Sequence, residues 1–108
     1  MSARPGTALI TGASGGIGAV YADRLAKRGY DLVLVARDRA RMEAVSDRLK
    51  GVGSKIEILV ADLTKENDLS AVEARLGMGD ISLLVNNAGM SLKGSLLENG
   101  GAEISKII

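Results

Sequence analysis

Thr11-Gly12-Ala13-Ser14-Gly15-Gly16-Ile17-Gly18 stands between a short β-prone run, Thr7 to Ile10, and a helical pattern that begins at Ile17. A glycine-rich turn at that junction sits where a helix N-terminus offers unpaired N–H groups and the positive end of its dipole to a phosphate. Gly12 lets the chain turn sharply off the strand. Gly16 keeps a side chain out of the space a phosphate would fill, and Gly18 lets the helix lie close to the sheet. Ser14 adds a hydroxyl beside that space. No Gly-Lys-Ser/Thr occurs, so the lysine-containing phosphate loop is excluded, and the spacing Gly-x₃-Gly-x-Gly also differs from Gly-x-Gly-x₂-Gly.

The pattern continues outward from the turn. Leu32 to Val35, Ile56 to Ala61 and Ile81 to Val85 are further apolar runs without polar alternation, as expected of parallel strands covered on both faces. Helical periodicity fills the gaps. Ile17, Val20 and Leu25 mark one apolar face, closed by Lys27-Arg28-Gly29; Met42, Val45 and Leu49 mark a second, with Asp38 as N-cap and Lys50-Gly51 as stop; Leu69, Val72 and Leu76 mark a third. This βαβαβαβ order predicts an α/β, Rossmann-type three-layer αβα fold with a parallel sheet in strand order 3-2-1-4. Ala102 to Ile108 reads as the start of a further helix. Residues 1–108 are then a single domain carrying the first half of such a fold, with strand 4 left as an exposed edge.

The totals narrow the chemistry. The chain has 108 residues, 46% hydrophobic and 25% charged, which suits one globular core and excludes a disordered chain. Lys+Arg number 14 against 13 Asp+Glu, too even a balance to imply nucleic acid or an anionic membrane. Without Cys or His, disulfides, Cys/His metal sites and Ser-His-Asp catalysis are excluded, so no metal site is expected. The start has no signal-peptide core and no run is long enough to span a membrane; a cytoplasmic protein is the default expectation.

Two further motifs fall at strand ends. Asn86-Asn87-Ala88-Gly89 closes strand 4, and Val60-Ala61-Asp62-Leu63 closes strand 3. With the glycine turn, these resemble the fingerprint of the short-chain dehydrogenases/reductases, and the resemblance covers essentially the whole chain. It implies a nicotinamide dinucleotide cofactor. Gly12, Gly16 and Gly18 would form the pyrophosphate turn, lined by Ser14, Gly15 and Ile17; Asp62 and the Leu63 backbone would hold the adenine. Asn87, Ala88 and Gly89 would fix neighbouring strands and touch the ribose beside the nicotinamide. Asp62 as a turn-capping residue and Asn87 as a purely structural tie are the alternatives.

The end of strand 2 bears on which cofactor. NAD calls for a carboxylate there to accept hydrogen bonds from ribose hydroxyls, whereas NADP places a phosphate there that favours Arg. Ala36 occupies the family's acid position and Arg37 follows, with Arg39 and Arg41 nearby, resembling the NADP-preferring subgroup. NADP is the expectation. NAD is the alternative, with Asp38 as the ribose acid. In another NADP subgroup a basic residue enters the glycine turn, where Gly15 stands in this chain.

The resemblance also implies a catalytic Tyr, a Lys four residues after it, a Ser and an Asn, all beyond the Asn-Asn-Ala-Gly strand. Residues 90–108 contain no Tyr; Tyr21 is followed four residues on by Leu25 and Tyr30 by Leu34. No catalytic residue is therefore assigned. The first functional reading is the NADP-binding half of an oxidoreductase acting on a small carbonyl or alcohol substrate, for which a homo-oligomer is a compatible assembly. The second is a non-catalytic dinucleotide-binding module or sensor. A methyl-donor-binding methyltransferase fits less well, because Thr11 stands where an acidic residue commonly precedes that glycine turn.

Overall fold

Alternate residues of a strand face opposite sides of its sheet, so each continuous apolar run in this chain has to be covered twice. The computed structural model, which describes residues 5–87 and 102–105, meets that demand with helices on both faces. Its elements are β1 (Thr7–Thr11), α1 (Gly16–Lys27), β2 (Asp31–Ala36), α2 (Arg39–Arg48), a 3₁₀ turn (Lys50–Val52), β3 (Ile56–Val60), α3 (Glu66–Leu76), β4 (Ile81–Asn86) and β5 (Ala102–Ser105). Every strand pairing is parallel, in the order β3-β2-β1-β4-β5.

Ala8 and Ile10 of β1 and Leu32 and Leu34 of β2 form one core with Leu25 of α1 and Met42 of α2. Leu9, Val33 and Leu84 point the other way and pack with Val72 and Leu76 of α3. This is the expected three-layer α/β architecture, with strand order 3-2-1-4 intact. Asp38 caps α2 as expected, its carboxylate accepting the Arg41 N–H at 3.1 Å.

Two expectations are corrected. Of the apolar face expected on α1 only Leu25 is buried: Ile17 is 38% and Val20 51% exposed, while Gly18, Ala22 and Ala26 face inward beside Leu25. Close approach of α1 to the sheet selects small residues at its contact line, and that displaces its larger aliphatic side chains outward. The second correction concerns the segment after β4. Ala102–Ser105 is a strand rather than a helix and pairs with β4, from Leu83 opposite Ala102 to Asn86 opposite Ser105. β4 is therefore an interior strand. The pairing satisfies backbone N–H and C=O groups that an exposed edge would leave to solvent or to another chain.

At the amino ends of the strands, Arg75 of α3 joins three elements. Its Nε and Nη2 donate to Glu57 of β3 at 2.9 and 3.2 Å, and its Nη1 and Nη2 donate to Asp80, just before β4, at 2.6 and 3.0 Å. The forked guanidinium satisfies both carboxylates at once. Arg75 holds the Asp80 carboxyl below its ordinary value of 3.8, so this contribution is complete above that pH and is lost as pH falls through the lower, folded-state value. Arg75→Met is expected to destabilise the chain by on the order of 1 kcal/mol at neutral pH, because both carboxylates remain half-exposed and screened. Urea melts from pH 7 to 2.5 should show the difference between parent and variant shrinking below pH 3.8. A constant difference would refute the Asp80 linkage.

Candidate cofactor site

The carboxyl ends of β1, β2 and β3 open into one cleft of about 830 Å³. Gly12 and Ser14 line it after β1, Val35 and Ala36 at the end of β2 with Arg37 and Asp38 after it, and Ala61 to Thr64 after β3; Arg39 and Arg41 of α2 complete its rim. Such a crevice outside the strand ends is where open parallel sheets place their ligands.

Local backbone geometry explains the glycines. Gly12 and Gly16 have φ of +64° and +56°, a region that other residues enter at a cost. A Cβ at Gly16 would meet nothing within 4 Å, so the helix start faces open space. At Gly18 the constraint is contact: a Cβ would collide with the Gly12 carbonyl oxygen and lie 2.8 Å from its carbon. Gly18 thus holds α1 against the turn.

Polar groups at the end of β4 brace the turn from behind. Buried Thr11 donates through Oγ1 toward Asn86 Oδ1 at 3.2 Å, linking the ends of β1 and β4. Asn87 Nδ2 donates to the Gly12 carbonyl at 3.5 Å, and its Oδ1 is buried without a partner among the described residues. Residue type alone gives Thr11 no part in the site; its neighbour across the sheet supplies one.

Asp62 stands on the opposite wall. Its Oδ1 accepts both the Thr64 N–H at 3.0 Å and the Thr64 hydroxyl at 2.6 Å. The hydroxyl bond first, and the amide bond second, hold the carboxyl below its ordinary value, with smaller help from the charges of Arg37 and Lys65. The turn-capping alternative is therefore real, and it engages Oδ1 alone. Leu63 is buried in the core shared with α3 and also lines the cleft.

Of the residues singled out from sequence, Gly12, Ser14, Arg37, Asp62 and Leu63 come together on one cleft. Gly15, Gly16, Ile17 and Gly18 lie at the start of α1, and Asn87 reaches the same turn from β4. Ala88, Gly89 and the loop Met90 to Gly101 lie outside the described residues. Thr64 and Asp68 escape a reading by sequence; Asp62-x-Thr64 is itself a side-chain turn signature that could have marked the first. Among the described residues no acidic, His or Cys cluster could hold a metal ion, and no helix is long and apolar enough to cross a membrane.

A family model described as short chain dehydrogenase matches residues 6–108. The chain belongs to the short-chain dehydrogenase family. It is 38% identical over 104 residues to human 17-beta-hydroxysteroid dehydrogenase type 3, an alignment that covers 94% of this chain and 34% of that protein. Among solved structures, the bulky-bulky ketone specific alcohol dehydrogenase of Comamonas testosteroni superimposes with a TM-score of 0.77 at 48% identity, covering 89% of this chain and 40% of that one. A short-chain dehydrogenase from Sphingobium yanoikuyae in complex with NADPH gives 0.75 at 54% identity, covering 86% and 37%. The chain thus spans about a third of the length of the curated relatives it matches.

The residues present fit a dinucleotide. Open space beside Gly16, the arginines on the rim of the cleft, and an Asn87 oxygen that is buried at the Gly12 turn without a partner among the described residues supply room, positive charge and an acceptor. Short-chain dehydrogenases use NAD or NADP, and relatives of this chain have been solved with NADPH or NADP analogues.

Proposed function

We propose that this chain forms the NADP-binding part of an oxidoreductase that transfers hydride between NADPH and a small carbonyl or alcohol substrate. Bound in the cleft, the dinucleotide would supply the hydride. Gly12, Gly16 and Gly18 would admit its pyrophosphate to the start of α1, with Ser14, Gly15 and Ile17 around it. Asp62 and the Leu63 backbone would hold the adenine, and Asn87, Ala88 and Gly89 would border the nicotinamide ribose.

The observation that carries NADP over NAD is the use of Asp38. Its Oδ1 accepts the Arg41 N–H at 3.1 Å and its Oδ2 lies 3.5 Å from Arg41 Nε, so the nearest candidate for a ribose acid is already engaged as a helix cap. Ala36 leaves no carboxylate at the end of β2 itself, and Arg37 is exposed beside the cleft. The complex of the Sphingobium relative with NADPH agrees with this choice.

Arg37→Ala is expected to reduce the preference for NADPH over NADH by about tenfold, the lower end of a charge-assisted contact because the guanidinium is exposed. Calorimetric titration of parent and variant with both cofactors measures it. Equal affinities in the parent, or a preference that vanishes with Asp38→Ala and survives Arg37→Ala, would overturn the assignment.

A further inference from the structure

A second cavity lies apart from the cofactor cleft. It occupies about 510 Å³ in the groove between α1 and α2, where Ala19 and Val20 of α1 face Val45 and Leu49 of α2. Its lining positions, 16, 19, 20, 23 and 24 on α1 and 45, 48 and 49 on α2, recur at spacings of three and four, so each helix presents one continuous stripe to the groove. Arg24 and Arg48 belong to those stripes, and neither side chain has a hydrogen bond or ion pair among the described residues. Asp23, the carboxylate in the lining, is bound to Lys27 Nζ at 3.1 Å. We infer that this groove is a binding site for an amphiphilic carboxylate, with its head group on Arg24 and Arg48 and its alkyl chain along Val20, Val45 and Leu49.

Topology sets the polarity of the site. Both helices return between parallel strands on one face of the sheet, so they run side by side in the same direction. Arg24 and Arg48 stand in the last turns of α1 and α2, and therefore at the same end of the groove, opposite Gly15 and Gly16. The Ser54 hydroxyl, donating to the Ala26 carbonyl at 3.3 Å, ties the segment after α2 to that end of α1. From Gly16 to Arg24 the groove runs about 12 Å at the helical rise per residue, room for a medium-length alkyl chain. A forked guanidinium matches a carboxylate through two bonds, and an unopposed pair binds it without first breaking an ion pair. An acid without a chain would leave the aliphatic floor in water, and a neutral alcohol would leave both guanidiniums without an anion. The two cations also complement the dipoles of their helices, a role that predicts lower stability when they are neutralised and no ligand.

The test titrates the isotope-labelled chain with decanoate below its micelle concentration and follows amide resonances, with decanol and acetate as controls. Decanoate is expected to shift Ala19, Val20 and Leu49, to leave Gly12 and Asp62 in place, and to bind about tenfold more tightly than either control. Saturating NADPH should leave those shifts unchanged. Replacing both arginines, Arg24→Gln with Arg48→Gln, should lose about tenfold in decanoate affinity and keep NADPH binding, since neither lines the cofactor cleft. Val20→Ser, at an exposed position outside the core, should weaken decanoate and not acetate. A folded parent whose resonances decanoate does not move overturns the site, as does binding that decanol reproduces or that survives loss of both arginines. Displacement by NADPH would put the ligand in the cofactor cleft and overturn the assignment equally. Shifts at the groove produced by an acidic peptide or by raised protein concentration, with none from decanoate, would give the groove to a partner chain and overturn the small-ligand reading.

Discussion

Gly18→Ala is expected to lose stability and dinucleotide binding together, whereas Gly16→Ala should keep its fold and lose binding alone. Alanine normally stabilises a helix interior by about 1 kcal/mol relative to glycine. At Gly18 that gain is opposed by a collision between the new Cβ and the Gly12 carbonyl group, with Ala13 Cα a further 3.1 Å contact. Backbone atoms cannot rotate away as a side chain can, so relief requires α1 to lift off the turn. Overpacking costs about 1–3 kcal/mol, and a backbone obstacle belongs at the upper end. The net loss is a substantial part of the stability of a small domain. Lifting α1 also moves the N–H groups at its start, so affinity falls with stability.

At Gly16 the balance differs. A Cβ there meets nothing within 4 Å, and the cost is the φ of +56°, about 1–2 kcal/mol for an L-residue. The fold should survive. The methyl group would stand in the open space at the helix start, and affinity for NADPH should fall at least tenfold. Circular dichroism melts beside calorimetric titration separate the two variants. A Gly18→Ala protein as stable as its parent, or a Gly16→Ala protein that binds NADPH normally, would show that the turn is not arranged as described.

How far the sequence alone discloses this arrangement depends on which physical signal is local. The first four strands are legible because each is a mostly apolar run bounded by turn residues, with Glu57 in β3 and Ser82 in β4 as polar interruptions. The buried faces of α2 and α3 are legible because Met42, Val45, Val72 and Leu76 are large and periodic. The face of α1 is not, since its contact line is made by absence of side chain at Gly18 and near-absence at Ala22 and Ala26; hydrophobicity points to Ile17 and Val20 instead. β5 escapes for a different reason. Ala102–Ser105 carries little intrinsic strand signal, and its conformation is set by the hydrogen-bonding edge of β4, a partner distant in sequence.

The candidate site divides in the same way. Glycine spacing and the Asp and Asn at strand ends carry their meaning in residue type and position, so Gly12, Asp62 and Asn87 can be named in advance. The roles of Thr11, Thr64 and Asp68 are relations between side chains and fixed backbone, and they emerge only when β1 lies beside β4 and the turn after β3 is closed. Asp38 shows the converse. Sequence offers it both as a helix cap and as a ribose acid, and the bond from Arg41 accounts for the first role.

The 108-residue chain is expected to bind NADPH and to leave a carbonyl unreduced. Reduction needs an acid that delivers a proton to the developing alkoxide, and the two tyrosines of the chain are badly placed to supply one. Tyr21 lies on α1 and Tyr30 just before β2, both half-buried against the core shared by α1 and α2. Tyr30 is at the amino end of its strand, while the cleft lies beyond the carboxyl ends. Neither has a lysine four residues on, because Leu25 and Leu34 occupy those positions. A missing general acid lowers the rate by about 10²–10⁴. That deficit places turnover below detection in an ordinary absorbance assay. Reduced-nicotinamide absorbance, followed with aliphatic and aromatic ketones and aldehydes on a sample whose intact mass matches residues 1–108, measures it directly. Sustained multiple turnover by that species would mean that a side chain other than a lysine-assisted tyrosine delivers the proton, and the separation of cofactor binding from proton delivery would have to be abandoned.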